Sequence, residues 1–116
     1  MICYAGKRTR RGVTVTRQER SDSPEVNTLQ ALPLRLDLAD YSPTGFEWGY
    51  GGSGPAQLAL ALLADALSDE AQALKLQQAF KWEVVAALPE AQWQLSEHDV
   101  QEAVRRLTAA AEDAWG

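Results

Sequence analysis

Alternating hydrophobic and polar residues predict a β-rich N-terminal third of the chain. Residues 13–16 read Val-Thr-Val-Thr, the period of a half-buried strand rich in β-branched side chains. Residues 2–5 and 12–18 bracket a basic turn, and together they predict a β-hairpin. Leucines then occupy every second position from residue 32 to residue 38. They predict a third strand, which Pro33 restricts to the edge of a sheet.

The stretch that follows is apolar on nearly every side. Pro55 suits the first position of a helix, and Ser53 or Gly54 can cap it. From there to residue 67, leucines and alanines leave Gln57 and Asp65 as the only polar side chains. Such a helix is buried on all sides, and it is shorter than the roughly 20 apolar residues of a membrane span. We therefore predict a central core helix.

Two further helices are predicted from their start signals and apolar periodicity. Asp69, followed by Gln72 three residues later, is a variant of the capping box, and apolar residues recur at helical spacing until Pro89 ends the helix. Ser96 and Asp99 form a second capping box, and the apolar stripe after them continues to residue 114.

The predicted fold class is α+β: an N-terminal antiparallel β-hairpin or small sheet, followed by three helices around the buried central helix. The 116 residues fit a single domain with one core. Its β-rich part spans about 1–40, a loop spans 41–54, and the helical part spans 55–114. Residues 90–94, which include Trp93, are predicted to form a connector between the last two helices.

The loop before the central helix is dense in glycine and aromatic residues. Five of the eight glycines of the chain lie within ten residues of this loop. Glycine serves where the backbone adopts positive φ or where another group approaches closely. The glycines therefore let the loop fold tightly against the buried helix. Phe46, Trp48 and Tyr50 alternate with other residues, so an extended backbone would place their rings on one side.

A glycine-rich loop before a helix also suggests an anion or nucleotide site. The candidate residues are the backbone groups of the helix start and two nearby polar side chains: Gly51, Gly52, Ser53, Gly54, Glu47 and Gln57. The pattern G-x-x-x-x-G-K-[ST] is absent, and no Lys or Arg occurs between residues 36 and 74. Gly49, Gly51 and Gly54 imitate G-x-G-x-x-G, but no βαβ pattern surrounds them.

The aromatic residues support a different hypothesis, in which the loop binds a partner protein. Four tryptophans in 116 residues are many, and Trp and Tyr are favoured anchors of protein interfaces. Trp48 and Tyr50 are the proposed contact residues. The alternative is that the aromatic rings pack in the core. This alternative is favoured for Trp82, and for Trp48 the two hypotheses are equally supported.

The net charge of −5 conceals a basic N-terminus. Residues 1–20 hold six basic residues and one acidic residue, whereas residues 21–116 hold five basic and fifteen acidic residues. Arg8, Arg10 and Arg11 in the predicted turn could contact nucleic acid. A turn that is simply solvated, or that contacts the acidic body of the protein, is the favoured explanation.

Little in the sequence indicates chemistry. With His98 as the only histidine and Cys3 as the only cysteine, we expect no zinc site, no internal disulfide, no catalytic residue and no cofactor. Glu47 between two aromatic residues could have a raised pKa and act as an acid or base, although an outward or hydrogen-bonded carboxylate is favoured. No apolar stretch of signal-peptide length occurs at the N-terminus, and a soluble cytoplasmic protein is expected.

Residues 45–63 read GFEWGYGGSGPAQLALALL. This run resembles the signature of domain-of-unknown-function family 6166, a family of small uncharacterised proteins. Three shorter motifs are also similar to that family: Tyr4-x-Gly6-x-Arg8, Phe80-Lys81 and Trp93-x-Leu95-Ser96. The resemblance covers most of the chain and implies a stand-alone domain from bacteria, archaea or their phages and plasmids. It brings no catalytic residues.

The sequence therefore favours a small non-enzymatic protein-interaction module without a membrane partner, possessing a contact surface at the aromatic loop. Binding of a small molecule, nucleotide or anion at the glycine-rich helix start is the alternative. Contact with nucleic acid through the basic turn is the third hypothesis. The sequence indicates neither the oligomeric state nor the identity of a partner.

Overall fold

A computed structural model describes residues 1–20 and 28–115, with side chains described through residue 110. An antiparallel sheet packs against three helices, which confirms the α+β class. The elements are the strands β1 (Ile2–Thr9), β2 (Gly12–Glu19), β3 (Thr28–Ala31) and β4 (Gln92–Ser96), the helices α1 (Ser53–Leu67), α2 (Glu70–Glu83) and α3 (Glu97–Trp115), and a short 3₁₀ helix (Val85–Ala87). No helix in the described part of the chain is long and apolar enough to cross a membrane.

The predicted hairpin forms the centre of a four-stranded sheet with the order β3-β2-β1-β4, and every neighbouring pair is antiparallel. Tyr4 and Gly6 of β1 and Val15 of β2 are buried on the face that carries the helices. Because successive side chains of a strand point to opposite faces, Cys3, Ala5 and Thr16 lie on the other face.

The third strand lies four residues earlier than its predicted position. β3 spans Thr28–Ala31, and the leucines after it leave the sheet. The Leu32 N–H donates to the Val15 carbonyl at 3.0 Å, and the chain then turns at Arg35, which has a φ of 59°. The prediction of a strand over residues 32–38 is wrong because alternating leucines also fit a turn that buries only some of them. Leu36 is exposed.

The predicted connector over residues 90–94 is also wrong in part, because residues from Gln92 onwards form β4. β4 pairs with β1, and Trp93 lies opposite Gly6. A Cβ atom at Gly6 would overlap the indole of Trp93, so the glycine makes room for this ring. Strand pairing between residues nearly ninety positions apart leaves no local signal in five residues, which explains the error.

Helix α1 is the predicted central core helix, and twelve of its fifteen residues are buried. It begins at Ser53 with Gly52 as its N-cap, so Pro55 occupies the first turn rather than the first position. The two other predicted helix starts are confirmed. Asp69 accepts from the Gln72 N–H at 3.1 Å, and Ser96 and Asp99 exchange two hydrogen bonds.

Asp65, the only charged residue of α1, connects the helix to the sheet. It accepts the Tyr4 hydroxyl proton at 2.6 Å, and its other oxygen lies 3.0 Å from Arg17 Nε. Burial, together with the hydrogen bond to Asp65, raises the pKa of the Tyr4 hydroxyl. The tyrosine therefore remains a neutral donor to a carboxylate that Arg17 also balances.

Gln57, the other polar residue of α1, is fully buried and makes four hydrogen bonds. Its Oε1 accepts from the Tyr41 and Ser42 N–H groups at 2.8 and 3.0 Å, and its Nε2 donates to the Leu34 and Ala39 carbonyls at 2.6 and 3.1 Å. This exhausts the capacity of a carboxamide. The segment between the sheet and the aromatic loop is thus attached to the core helix by one side chain.

The substitution Gln57→Leu is predicted to lower the free energy of unfolding by at least about 3 kcal/mol. A leucine has nearly the same volume but leaves four backbone groups without this partner, and each unsatisfied buried group costs about 1–3 kcal/mol. Urea unfolding monitored by circular dichroism measures the change.

The matched control is Gln77→Leu. Gln77 of α2 is also buried, but its Nε2 has no partner among the described residues. Removing an unsatisfied polar group costs little, so this variant should lie within about 1 kcal/mol of the wild type or be more stable. Equal losses for the two variants would contradict the role assigned to Gln57.

Candidate functional site

The aromatic loop does not present its three rings on one side. Phe46 and Trp48 are buried, with Trp48 only 1% exposed, whereas Tyr50 is 53% exposed. Gly49 lies between the last two rings with a φ of +87°, a conformation that side chains other than glycine rarely adopt. The backbone therefore turns at this glycine and separates Tyr50 from the buried rings.

Trp48 belongs to the core. Its Nε1 donates to the Glu90 carbonyl at 3.0 Å, and its ring meets that of Trp93 edge to face at a centroid distance of 5.7 Å. The N–H of the next residue, Gly49, donates to the Val85 carbonyl. The expectation that Trp48 offers an exposed contact is corrected, because its indole is used to hold the loop against the segment before β4.

Glu47 forms a two-pronged ion pair with Arg8. The two guanidinium nitrogens lie 2.7 and 3.1 Å from the two carboxylate oxygens. Arg8 also donates to the Glu90 carbonyl from Nε, and its guanidinium lies 4.9 Å from the centroid of the Trp48 ring. The hydrogen bonds with Arg8 hold the pKa of Glu47 below its ordinary value, and those with Glu47 raise the pKa of Arg8. The raised pKa considered for Glu47 as an acid or base is therefore wrong.

The consecutive glycines of the loop each lie beneath an aromatic ring. A Cβ atom at Gly51 would overlap the indole of Trp82, and a Cβ atom at Gly52 would lie 2.6 Å from the ring of Tyr50. Any side chain at either position would therefore displace a ring. Gly54 plays a similar role beside Glu47, whose Cβ would be 2.7 Å from an added one.

Trp82 is exposed and also held in place, although its position at the end of α2 suggested core packing. It is 57% exposed, so that expectation is wrong. Lys81 Nζ lies 4.5 Å from the centroid of its ring. With the Gln78 carboxamide oriented to face its neighbouring donors, Oε1 accepts from Lys81 Nζ at 3.2 Å and from Trp82 Nε1 at 3.1 Å. Gly51, Lys81 and Gln78 thus contact the indole from different directions.

Trp82 is not among the candidate residues named above, although the sequence contains a signal for its exposure. Trp82 follows Lys75 by seven residues and Gln78 by four, so it lies on the polar side of an amphipathic helix. A tryptophan on that side has no core to enter. The polar neighbours therefore indicated an exposed ring.

A cleft of about 990 Å³ lies between the hairpin and the start of α1. Four of the predicted loop and helix-start residues line this cleft: Glu47, Tyr50, Ser53 and Gly54. Arg11 of the basic turn lines it as well. Gln57 does not reach this cleft, because its carboxamide is fully engaged with the chain around residues 34–42. Arg10 is exposed but lies outside the cleft, and Arg8 is engaged with Glu47.

Metal-binding groups are not assembled in the described residues, where no cluster of three or more His, Cys, Asp or Glu side chains occurs. His98 lies at an exposed helix start, and its closest charged neighbour is Glu102 at 3.8 Å.

Comparison with known proteins identifies one similarity. The model of a family of unknown function, DUF6166, matches residues 4–106. This range includes the hairpin, the aromatic loop, α1, α2 and β4. No curated protein and no solved structure matches the chain.

The substitution Glu47→Gln is predicted to lower stability at neutral pH, by an amount that shrinks as the solution becomes acidic. A carboxyl whose pKa is lowered in the folded state stabilises the fold at pH values above its unfolded pKa, about 4.5 for glutamate. This contribution disappears as the pH falls through the folded pKa. Urea unfolding of wild type and variant at a series of pH values measures the difference.

Glu83→Gln is the control for this experiment. Glu83 is exposed at the end of α2, and no basic side chain among the described residues pairs with it. Its substitution should produce no loss that depends on pH in this way. A Glu47→Gln difference that stays constant or grows towards acidic pH would contradict the ion pair with Arg8.

Proposed function

Since the chain belongs to the DUF6166 family, whose function is unknown, we propose from the arrangement of its residues that the protein is a small non-enzymatic protein-interaction module. The proposed contact surface consists of Tyr50, Gly51, Gly52 and Trp82 and is called the aromatic surface below. We further propose that the module acts in the cytoplasm, where its single cysteine would remain reduced, in a host of phages or plasmids.

The observation that carries the proposal is the exposure of two large rings, each of which lies over a glycine. Tyr50 and Trp82 are each more than half exposed, yet each lies over a glycine that no other residue could replace without moving the ring. Exposed Trp and Tyr side chains are the commonest anchors of protein interfaces.

Fixed rings also reduce the cost of binding. Ordering a side chain at an interface costs about 0.5–1.5 kcal/mol when the side chain moves freely beforehand. Trp82 is held by a hydrogen bond to Gln78 and by the ammonium group of Lys81 before any partner arrives. These contacts restrict the indole in the free protein, so less side-chain freedom is lost on binding, and this supports a binding role.

The two other functions receive less support from the geometry. For the anion site, both proposed polar side chains are engaged, because Gln57 is hydrogen-bonded to the backbone and Glu47 is paired with Arg8. For the nucleic-acid site, Arg8 is neutralised by the same pair.

The experiment that tests the proposal is affinity capture of partner proteins from cells that produce the protein, followed by mass spectrometry. Trp82→Ala and Tyr50→Ala should each abolish or strongly weaken the captured interaction. Truncating an interface anchor costs about 2 kcal/mol or more, which corresponds to a roughly thirtyfold rise in Kd. The Kd of the purified complex measures this directly.

Leu74→Ala is the matched control, because Leu74 is an exposed apolar residue of the same helix and lies outside the aromatic surface. It should leave binding unchanged. Gly51→Ala keeps the indole but displaces it, so it should weaken binding if the fixed position of the ring matters. Partners that bind all variants equally would refute the aromatic surface as the contact site.

A further inference from the structure

The first three residues of strand β2 have an unpaired edge. β1 pairs with β2 along its full length from Gly12 to Glu19, but β3 pairs only with residues 16–19. The Leu32 N–H then donates to the Val15 carbonyl, and the chain leaves the sheet. Among the described residues, none continues this pairing along residues 12–14 of β2.

The unpaired backbone groups can be identified from the pattern of the ladder. The N–H and C=O of one strand residue point to the same edge, and this direction alternates along the strand. Since the Val15 carbonyl points towards Leu32, the N–H and C=O of Val13 point to the same open edge. Open edges attract extended chains unless charges, prolines or covering segments protect them.

The cleft of about 990 Å³ lies directly along this edge. Val13 and Val15 of β2 line it together with Phe46, Tyr50 and Ser53. Residues 12–14 span about 10 Å at the usual rise of about 3.3 Å per residue. The open edge thus has room for a short extended segment that pairs with the N–H and C=O of Val13.

The electrostatic character of the cleft is positive, although the protein carries a net charge of −5. The only ionised side chains that line it are Arg11 and Glu47, and the charge of Glu47 is balanced by Arg8. No described side chain pairs with the guanidinium of Arg11. The start of α1, which also lines the cleft, has no acidic residue in its first turn and adds a partial positive charge.

We infer that this cleft binds an extended acidic segment of a partner protein, which adds to the sheet beside residues 12–14 of β2. Backbone hydrogen bonds to Val13 provide affinity, and Arg11 selects acidic side chains. The inference rests on the proposed interaction function and specifies the class of partner. Tyr50 connects the two, because it belongs to the aromatic surface and also lines the cleft.

Selection from a phage-displayed library of random dodecapeptides tests the inference. With the wild-type protein as bait, the enriched peptides should carry an excess of Asp and Glu and lack proline in their central positions. The Kd of the most enriched synthetic peptide should rise at least tenfold in Arg11→Glu, because a salt bridge is replaced by repulsion. Selection on Arg11→Glu should enrich basic peptides instead.

Two further variants separate local effects from general ones. Lys7→Glu makes the same change in net charge on the same hairpin, but Lys7 lies outside the cleft, so it should change the Kd less than threefold. Val13→Pro removes the N–H at the open edge and leaves the pairing with β1 intact, and it should also raise the Kd at least tenfold. The melting temperature of each variant confirms that it is folded.

Three outcomes would overturn the inference. The first is enrichment of peptides of neutral or basic composition. The second is binding that depends on Trp82 but on neither Arg11 nor Val13, a result that would leave the proposed function intact. Absence of any enrichment would also overturn it. Sedimentation would then show whether a second copy of the chain occupies the edge, as a dimer that Val13→Pro dissociates.

Discussion

The fold around the candidate site depends on one buried carboxamide. Helix α1 is almost entirely apolar, so most of its contacts with the surrounding chain are packing contacts. Among the described residues, Gln57 is the residue of α1 that forms hydrogen bonds with the segment between the sheet and the loop. This segment includes Ser42, which is held by Gln57 and whose hydroxyl donates to the Gly45 carbonyl at 2.8 Å. The start of the aromatic loop is therefore fixed relative to the core.

The middle of the loop is fixed by a different set of interactions. Arg8 of the hairpin pairs with Glu47 and donates to the Glu90 carbonyl, which also accepts from the indole of Trp48. Three segments distant in sequence thus meet at one carbonyl group. Only four residues lie between Trp48 and the start of α1. Among them, Gly52 lies beneath the ring of Tyr50, and Gly51 lies beneath the indole of Trp82. The path of the loop therefore determines the surroundings of both exposed rings.

Features that depend on neighbouring residues were predictable from the sequence. The capping boxes at Asp69 and Ser96 and the burial of α1 are encoded within single helices, and the hairpin is encoded by its alternation. The family was also identified correctly. β4 was not predicted, because its partner β1 is remote in sequence. The one trace of the pairing in the sequence of β1 is Gly6, whose lack of a side chain makes room for Trp93.

The exposure of individual rings was the least predictable property of the candidate site. Trp48 was considered as an exposed contact although it is buried, because its environment depends on the turn at Gly49. Trp82 was expected in the core, although its polar neighbours in α2 indicate exposure. Gln57 was considered as a ligand contact, since it lies close to the glycine-rich helix start in the sequence. Its four backbone partners come from a loop of irregular structure, which no periodicity predicts.

The proposed aromatic surface requires the exposed indole of Trp82 to be rigid before any partner binds. Relaxation of ¹⁵N at the four indole N–H groups of the free protein measures this rigidity. We expect an order parameter for Trp82 close to the value of about 0.85 that is typical of rigid backbone. A value below about 0.6, as in flexible segments, would contradict it.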